Sequence, residues 1–379
     1  MSDAVRETPA AGADSPVLQR LSTLDRFLPV WIGVAMVAGL LLGRLVDGLD
    51  DALAAVEIGS VSLPIAIGLL VMMYPVLAKV RYNELGHVTS DRRLLATSIV
   101  LNWVLGPALM FALAWLLLPD LPEYRTGLII VGLARCIAMV LIWNDLACGD
   151  REAAAILVAI NAVFQILAFA VLGYFYLQVL PGWLGLDQTD LDVSMWGIAK
   201  SVLVFLGIPL AAGFLTRTLG ERAKGREWYE TTLLPRIGPW ALYGLLFTIV
   251  LLFALQGDTI TNQPLDVVRI AVPLLVYFAL MWGGSMLLTR ALGFDYQRAT
   301  AVSFTAAGNN FELAIAVAIG VFGVASGQAL AGVVGPLIEV PVLVGLVYVS
   351  LWARKFFPER ATNRPDTRPS STDPSGAPR

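Results

Sequence analysis

Long apolar blocks recur almost without pause from residue 28 to residue 353, and they limit this chain more than any other feature of its sequence. They fall at 28–46, 60–78, 94–118, 127–147, 153–180, 196–216, 238–256, 268–289, 298–322 and 327–353. Each is close to the roughly 20 helical residues that cross about 30 Å of hydrocarbon. Inside a bilayer a spanning segment must satisfy its own backbone, which a helix does and a lone strand does not. The expectation is an all-α integral membrane protein of ten transmembrane helices. Composition agrees: 57% of residues are hydrophobic and 15% charged, against about a quarter charged in soluble domains. Little chain remains for a soluble domain, and a net charge of −3 gives no basic footprint for nucleic acid.

The loops sort by charge. Lys79, Arg81, Arg92 and Arg93 lie between spans two and three. Arg217, Arg222, Lys224, Arg226 and Arg236 lie between six and seven, and Arg354 and Lys355 follow span ten. The alternate loops carry Asp47, Asp50 and Asp51, then Asp187, Asp190 and Asp192, then Asp258 and Asp266. Basic loops stay in the cytoplasm, which places both termini there and requires an even number of spans. Residues 1–23 and 358–379 read as disordered cytoplasmic tails. The first has no basic start or apolar core of a cleaved signal peptide. Cys136 and Cys148 offer no disulfide framework. His87, the single histidine, reads as a solvated loop residue and excludes a His-based metal site.

An offset of about 174 residues lays one half of the chain over the other. Span five then matches span ten, with Gln165 over Glu339, and Arg135-Cys136 in span four falls over Asn309-Asn310 in span nine. Five spans per half is odd, so halves at 24–185 and 186–357 have opposite orientations. Inverted repeats with a midplane binding site are a transporter architecture.

Both polar interruptions sit deep in apolar helices. Arg135 lies near the middle of span four, where an arginine costs about 2.5–3.5 kcal/mol on insertion scales. Gly308, Asn309, Asn310 and Glu312 sit at mid-depth in span nine. Such residues are tolerated where they line a buried or water-filled cavity, with half-helix ends turned to a ligand. Arg135 has two readings beside that one: a structural charge paired with Glu312, or one held by helix C-terminal carbonyls. Glu312 is either that partner or a functional carboxylate, and Glu339, between Pro336 and Pro341, is a second intramembrane carboxylate. Both are candidate proton carriers. Cys136 is either a small buried hydrophobe or a soft-ion ligand beside a cation. Asn144, Asn161 and Gln165 are supporting polar residues, and Cys148 at the end of span four reads as neutral to function.

The strings MYPVLAKVRYNELG (73–86), ARCIAMVLIWNDLACGD (134–150), FTAAGNNFELAIAVAIG (304–320) and GPLIEVPVLVGLVYV (335–349) closely resemble the arsenical-resistance-three family of arsenite efflux permeases. That family belongs to the bile-acid/sodium symporter-like superfamily, and the resemblance runs from about residue 24 to 356. It implies two inverted five-helix repeats with crossed, discontinuous helices four and nine, in the plasma (inner) membrane. It also implies export of arsenite, sometimes antimonite, in exchange for protons, with no cofactor. The resemblance makes Cys136 the arsenic ligand and Glu312 a functional carboxylate. The substrate site expected is then Cys136, Arg135, Asn309, Asn310 and Glu312, with Glu312 and Glu339 in proton coupling and Arg135 holding Glu312 ionised. The competing expectation is a sodium-coupled symporter for an organic anion.

Overall fold

The computed structural model describes residues 27–46, 48–58, 61–80, 91–137, 139–186, 194–262 and 264–357. His87 and both tails lie outside these residues. Among the described residues six helices are long and apolar enough to cross a membrane: α3 (Arg92–Leu117), α5 (Arg151–Trp183), α6 (Met195–Lys224), α7 (Arg226–Leu255), α8 (Pro264–Ala291) and α10 (Gly327–Phe356). Two shorter ones, α1 (Leu28–Leu45) and α2 (Leu63–Ala78), precede them. The other two blocks are broken in two, as α4a (Pro122–Leu133) with α4b (Met139–Leu146), and α9a (Tyr296–Ala307) with α9b (Phe311–Phe322). A two-residue antiparallel pairing, Glu57–Ile58 with Val61–Ser62, leads into α2.

Several helices start two residues before their apolar runs, and the cause is local. Asp91, Asp150 and Asp295 each accept the N–H three residues on, at 3.0, 3.0 and 2.9 Å, so α3, α5 and α9a begin at the cap and not at the first apolar side chain. At the other end, α6 runs on through polar residues to Lys224 and stops at Gly225, whose φ of +85° suits glycine.

The surface is the reverse of a soluble protein's. Leu116, Trp183, Leu167 and Leu287 are each more than two-thirds exposed on helix flanks, while Arg135, Asn144, Gln165 and Asn102 are fully buried. An apolar skin of that extent calls for lipid around it. Inside, α1 packs along α7, α7 against α2, and α2 against α6. Gly39 and Gly43, four apart on α1, meet the α7 backbone so closely that a Cβ on either would strike it. This is the small-residue contact by which membrane helices approach. The other cluster joins α3 to α4a, α8 to α9a and α10, and α10 to α4a and α9b.

Candidate functional site

The breaks in α4 and α9 lie antiparallel across one another and pair as a minimal piece of sheet, Arg135 opposite Asn309. The Cys136 N–H donates to Gly308 O at 3.1 Å, and the Asn310 N–H to Ala134 O at 3.0 Å. Two N–H groups then face away from the pairing, and two neighbouring helices satisfy them. Arg135 N–H donates to Gln165 Oε1 of α5 at 3.0 Å, and Asn309 N–H to Glu339 Oε1 of α10 at 3.1 Å. Ala134 and Gly308 N–H still close onto their own helices, at Val131 O and Phe304 O. The N–H groups of residues 134–136 and 308–310 thus each have a partner, which is the condition for unwound backbone at membrane depth. Asn310 Oδ1 also caps α9b by accepting from Leu313 N–H at 3.0 Å.

Cys136 is a reduced, buried thiol. It borders a small cavity with Met73, Val76, Ile137, Met139, Asn309, Asn310, Glu312 and Glu339. The space open to the centre of a water-sized solute is ≈ 20 Å³, enough for about one water. Gly308 allows the close crossing, since a Cβ there would lie 2.9 Å from Cys136 Cβ. Asn309 Nδ2 and Asn310 Nδ2 are buried donors with no partner among the described residues. Half-buried Glu312 stands in the first turn of α9b, where the helix dipole favours a carboxylate.

A larger cavity of about 700 Å³ lies between α2, α4b, α5, α6 and α7, bordered by Lys79, Leu141, Arg151, Glu152, Arg217 and Glu230 among others. Ile137 borders both spaces, so the larger cavity ends one residue from Cys136.

Other expected residues stand elsewhere. Arg135 is 0% exposed and is not among the residues that line the cavity. Its guanidinium does not reach Glu312 but donates to Tyr277 Oη at 2.7 Å, to Ala306 O at 3.2 Å and to Gly132 O. The reason is chain direction: from the break, the side chain turns back along α4a to the carbonyl three residues earlier. Of the alternatives for Arg135, helix C-terminal carbonyls are what it meets. Gln165 serves the Arg135 backbone, and Asn161 Oδ1 accepts from Trp103 Nε1 at 3.2 Å. Asn144 is packed under Gly149 and Thr300, outside the cavity's described lining. Cys148 is exposed in the turn after α4b.

Sequence reasoning missed Tyr277, whose hydroxyl takes the Arg135 bond and donates to Asn309 Oδ1 at 3.4 Å. It also missed Gly106, where a Cβ would meet Arg135 Nη1 at 2.7 Å. The repeat held one faint signal, since Tyr277 lies 174 positions after the aromatic Trp103.

Broken helices crossing around a polar cavity are a transporter architecture. The family model described as the Sodium Bile acid symporter family matches residues 66–263. The arsenical-resistance protein Acr3 of Corynebacterium glutamicum is 62% identical over 353 residues, 93% of this chain and 95% of its own. Acr3 of Alkaliphilus metalliredigens is 33% identical over 351 residues, 89% of this chain and 95% of its own. An uncharacterized transporter of Synechocystis is 35% identical over 364 residues, 90% of this chain and 93% of its own. The chain belongs to the Acr3 arsenical-resistance branch of the sodium bile acid symporter family and is a multi-pass membrane transporter.

Proposed function

We propose that this protein exports trivalent arsenic from the cytoplasm in exchange for protons and so confers arsenic resistance. The observation that carries the reading is a reduced thiol, Cys136, bordering a small cavity with two carboxylates and two amide donors that have no partner among the described residues. Arsenite is a small trihydroxylated solute whose arsenic is thiophilic. The thiol can displace one arsenic-bound hydroxyl, forming an As–S bond and releasing water, while Asn309 and Asn310 donate to the remaining hydroxyls. One thiol holds arsenic reversibly, and a transporter must let go. Antimonite presents the same chemistry.

The architecture fitting this role is ten spans in two inverted five-helix repeats, 24–185 and 186–357. Its support is the register of the hydrogen bonds. Arg135 to Gln165 and Asn309 to Glu339 are the same bond, 174 positions apart, and so are Cys136 to Gly308 and Asn310 to Ala134. The positive-inside rule puts the Lys79, Arg151 and Arg217 end in the cytoplasm, with both termini. The 700 Å³ cavity is then a cytoplasmic vestibule, and Ile137 stands between it and the thiol. Glu312 and Glu339 border the cavity, where a carboxylate can take up a proton as arsenic leaves.

Growth of an efflux-deficient bacterium on arsenite tests the reading. Wild type is expected to restore resistance, and Cys136→Ser to fail. Replacing sodium by choline in the medium of everted vesicles is expected to leave arsenite transport unchanged. Loss of transport in choline would favour the sodium-coupled alternative.

A further inference from the structure

The guanidinium of Arg135 occupies a place that the fold makes attractive to any cation. Gly132 and Ala306 lie in the last turns of α4a and α9a, and their carbonyls both accept from it. The two are 174 positions apart and so occupy equivalent places in the two halves. Helix C-termini carry partial negative charge, and half-helix C-terminal ends are where broken-helix transporters coordinate sodium. Here two such ends converge on one point at membrane depth, with Tyr277 Oη as a further oxygen at 2.7 Å. Gly106 supplies the room, because a Cβ there would come within 2.7 Å of Nη1 and 3.2 Å of Cζ. The guanidinium is wholly buried, and among the described residues its bonds go to carbonyl and hydroxyl oxygens, not to a carboxylate.

We propose that Arg135 is a tethered resident cation, filling a monovalent-cation site between the converging C-terminal ends of α4a and α9a. A dissociable cation at this point would couple the crossing of the helices to its own concentration. A side-chain cation cannot leave, so the crossing holds together in any salt. The proposal rests on the transport reading and extends it, giving a physical reason why a member of a sodium symporter family would work without sodium there. It also implies that removing the side chain exposes a site for a small monovalent cation, guanidinium by shape or sodium by charge.

The test is thermal unfolding of purified Arg135→Ala in detergent, titrated with millimolar guanidinium, sodium or choline chloride at constant ionic strength. This arm needs no arsenic, so its outcome stands apart from the substrate assignment. Guanidinium or sodium is expected to raise the variant's Tm by about 2 °C per tenfold rise in concentration above its binding range. Choline, too large for the site, is expected to do nothing, and wild type to respond to none of the three. The second arm compares Arg135→Lys, which keeps a tethered charge, with Arg135→Gln, which does not. Arsenite accumulation by the glutamine variant in choline medium is expected at least about tenfold below that of the lysine variant, the size of one lost charge-assisted hydrogen bond. An alanine variant responding to guanidinium and sodium no more than to choline would overturn the proposal. So would a lysine variant as damaged as the glutamine one, a comparison that holds even where the alanine variant does not fold.

Discussion

Gln165 and Glu339 do the same work on opposite sides of the crossing: each lends one side-chain oxygen to the backbone N–H in the middle of a broken helix, at 3.0 and 3.1 Å. One is an amide and the other an acid. Holding the break therefore requires only an oxygen, and the acidity of Glu339 is surplus to that task. Surplus acidity beside the cavity is what the proposed proton exchange would use.

Glu339→Gln is accordingly expected to keep the fold, since an amide oxygen at the same reach accepts the Asn309 N–H, as Gln165 does for Arg135. The Tm should stay within about 3 °C of wild type, while arsenite flux loses its response to an imposed pH gradient. Glu312→Gln, at the other cavity carboxylate, is the companion variant. Full pH-driven flux in both would remove carboxylates of this cavity from proton coupling.

Gly308→Ala tests the close approach of the two breaks. The new Cβ would sit 2.9 Å from Cys136 Cβ and 3.3 Å from Phe304 O, so the thiol or the crossing must shift. Overpacking of this kind costs about 1–3 kcal/mol, and arsenite flux is expected to fall with it. Gly345→Ala, on α10 with nothing within 4 Å of the new Cβ, is the matched control and should be neutral or slightly stabilising. Equal flux from the two variants would contradict the packing account.

The ion pair between Arg269 and Asp120, on the turn between α3 and α4a, gives a pH signature. The Arg269 guanidinium, chiefly through its hydrogen bond, holds the Asp120 carboxyl below its ordinary value of 3.8. A depressed folded-state pKa adds stability above the unfolded value and loses it as pH falls through the folded one. Both side chains are solvent-exposed, so the effect is small. Asp120→Asn should unfold slightly below wild type at neutral pH, and the gap should close in acid below 3.8. A gap that widened on acidification would reverse the sign of this account.

Much of this was legible in the sequence, and the reasons differ by feature. The breaks were visible because Arg135, Asn309 and Asn310 interrupt apolar runs where polar atoms need a reason to be. Helix ends were misplaced by two residues at Asp91, Asp150 and Asp295, because an N-cap sets the start and hydropathy does not register it. Pairing Arg135 with Glu312 failed because charge complementarity ignores direction: the side chain points back along α4a while Glu312 lies ahead of the second break. Asn144 carries no signal separating a packed amide from one that borders a cavity. Ile137, which borders both cavities, is apolar among apolar residues, and only the third dimension marks it.

The most direct test of the central claim, that Cys136 takes the arsenic, is arsenite accumulation in everted vesicles of an efflux-deficient bacterium under an imposed pH gradient. Wild type is expected to accumulate arsenite, and Cys136→Ser, expressed to the same level, to fall to the background of vesicles lacking the protein. Undiminished accumulation by Cys136→Ser would contradict the account.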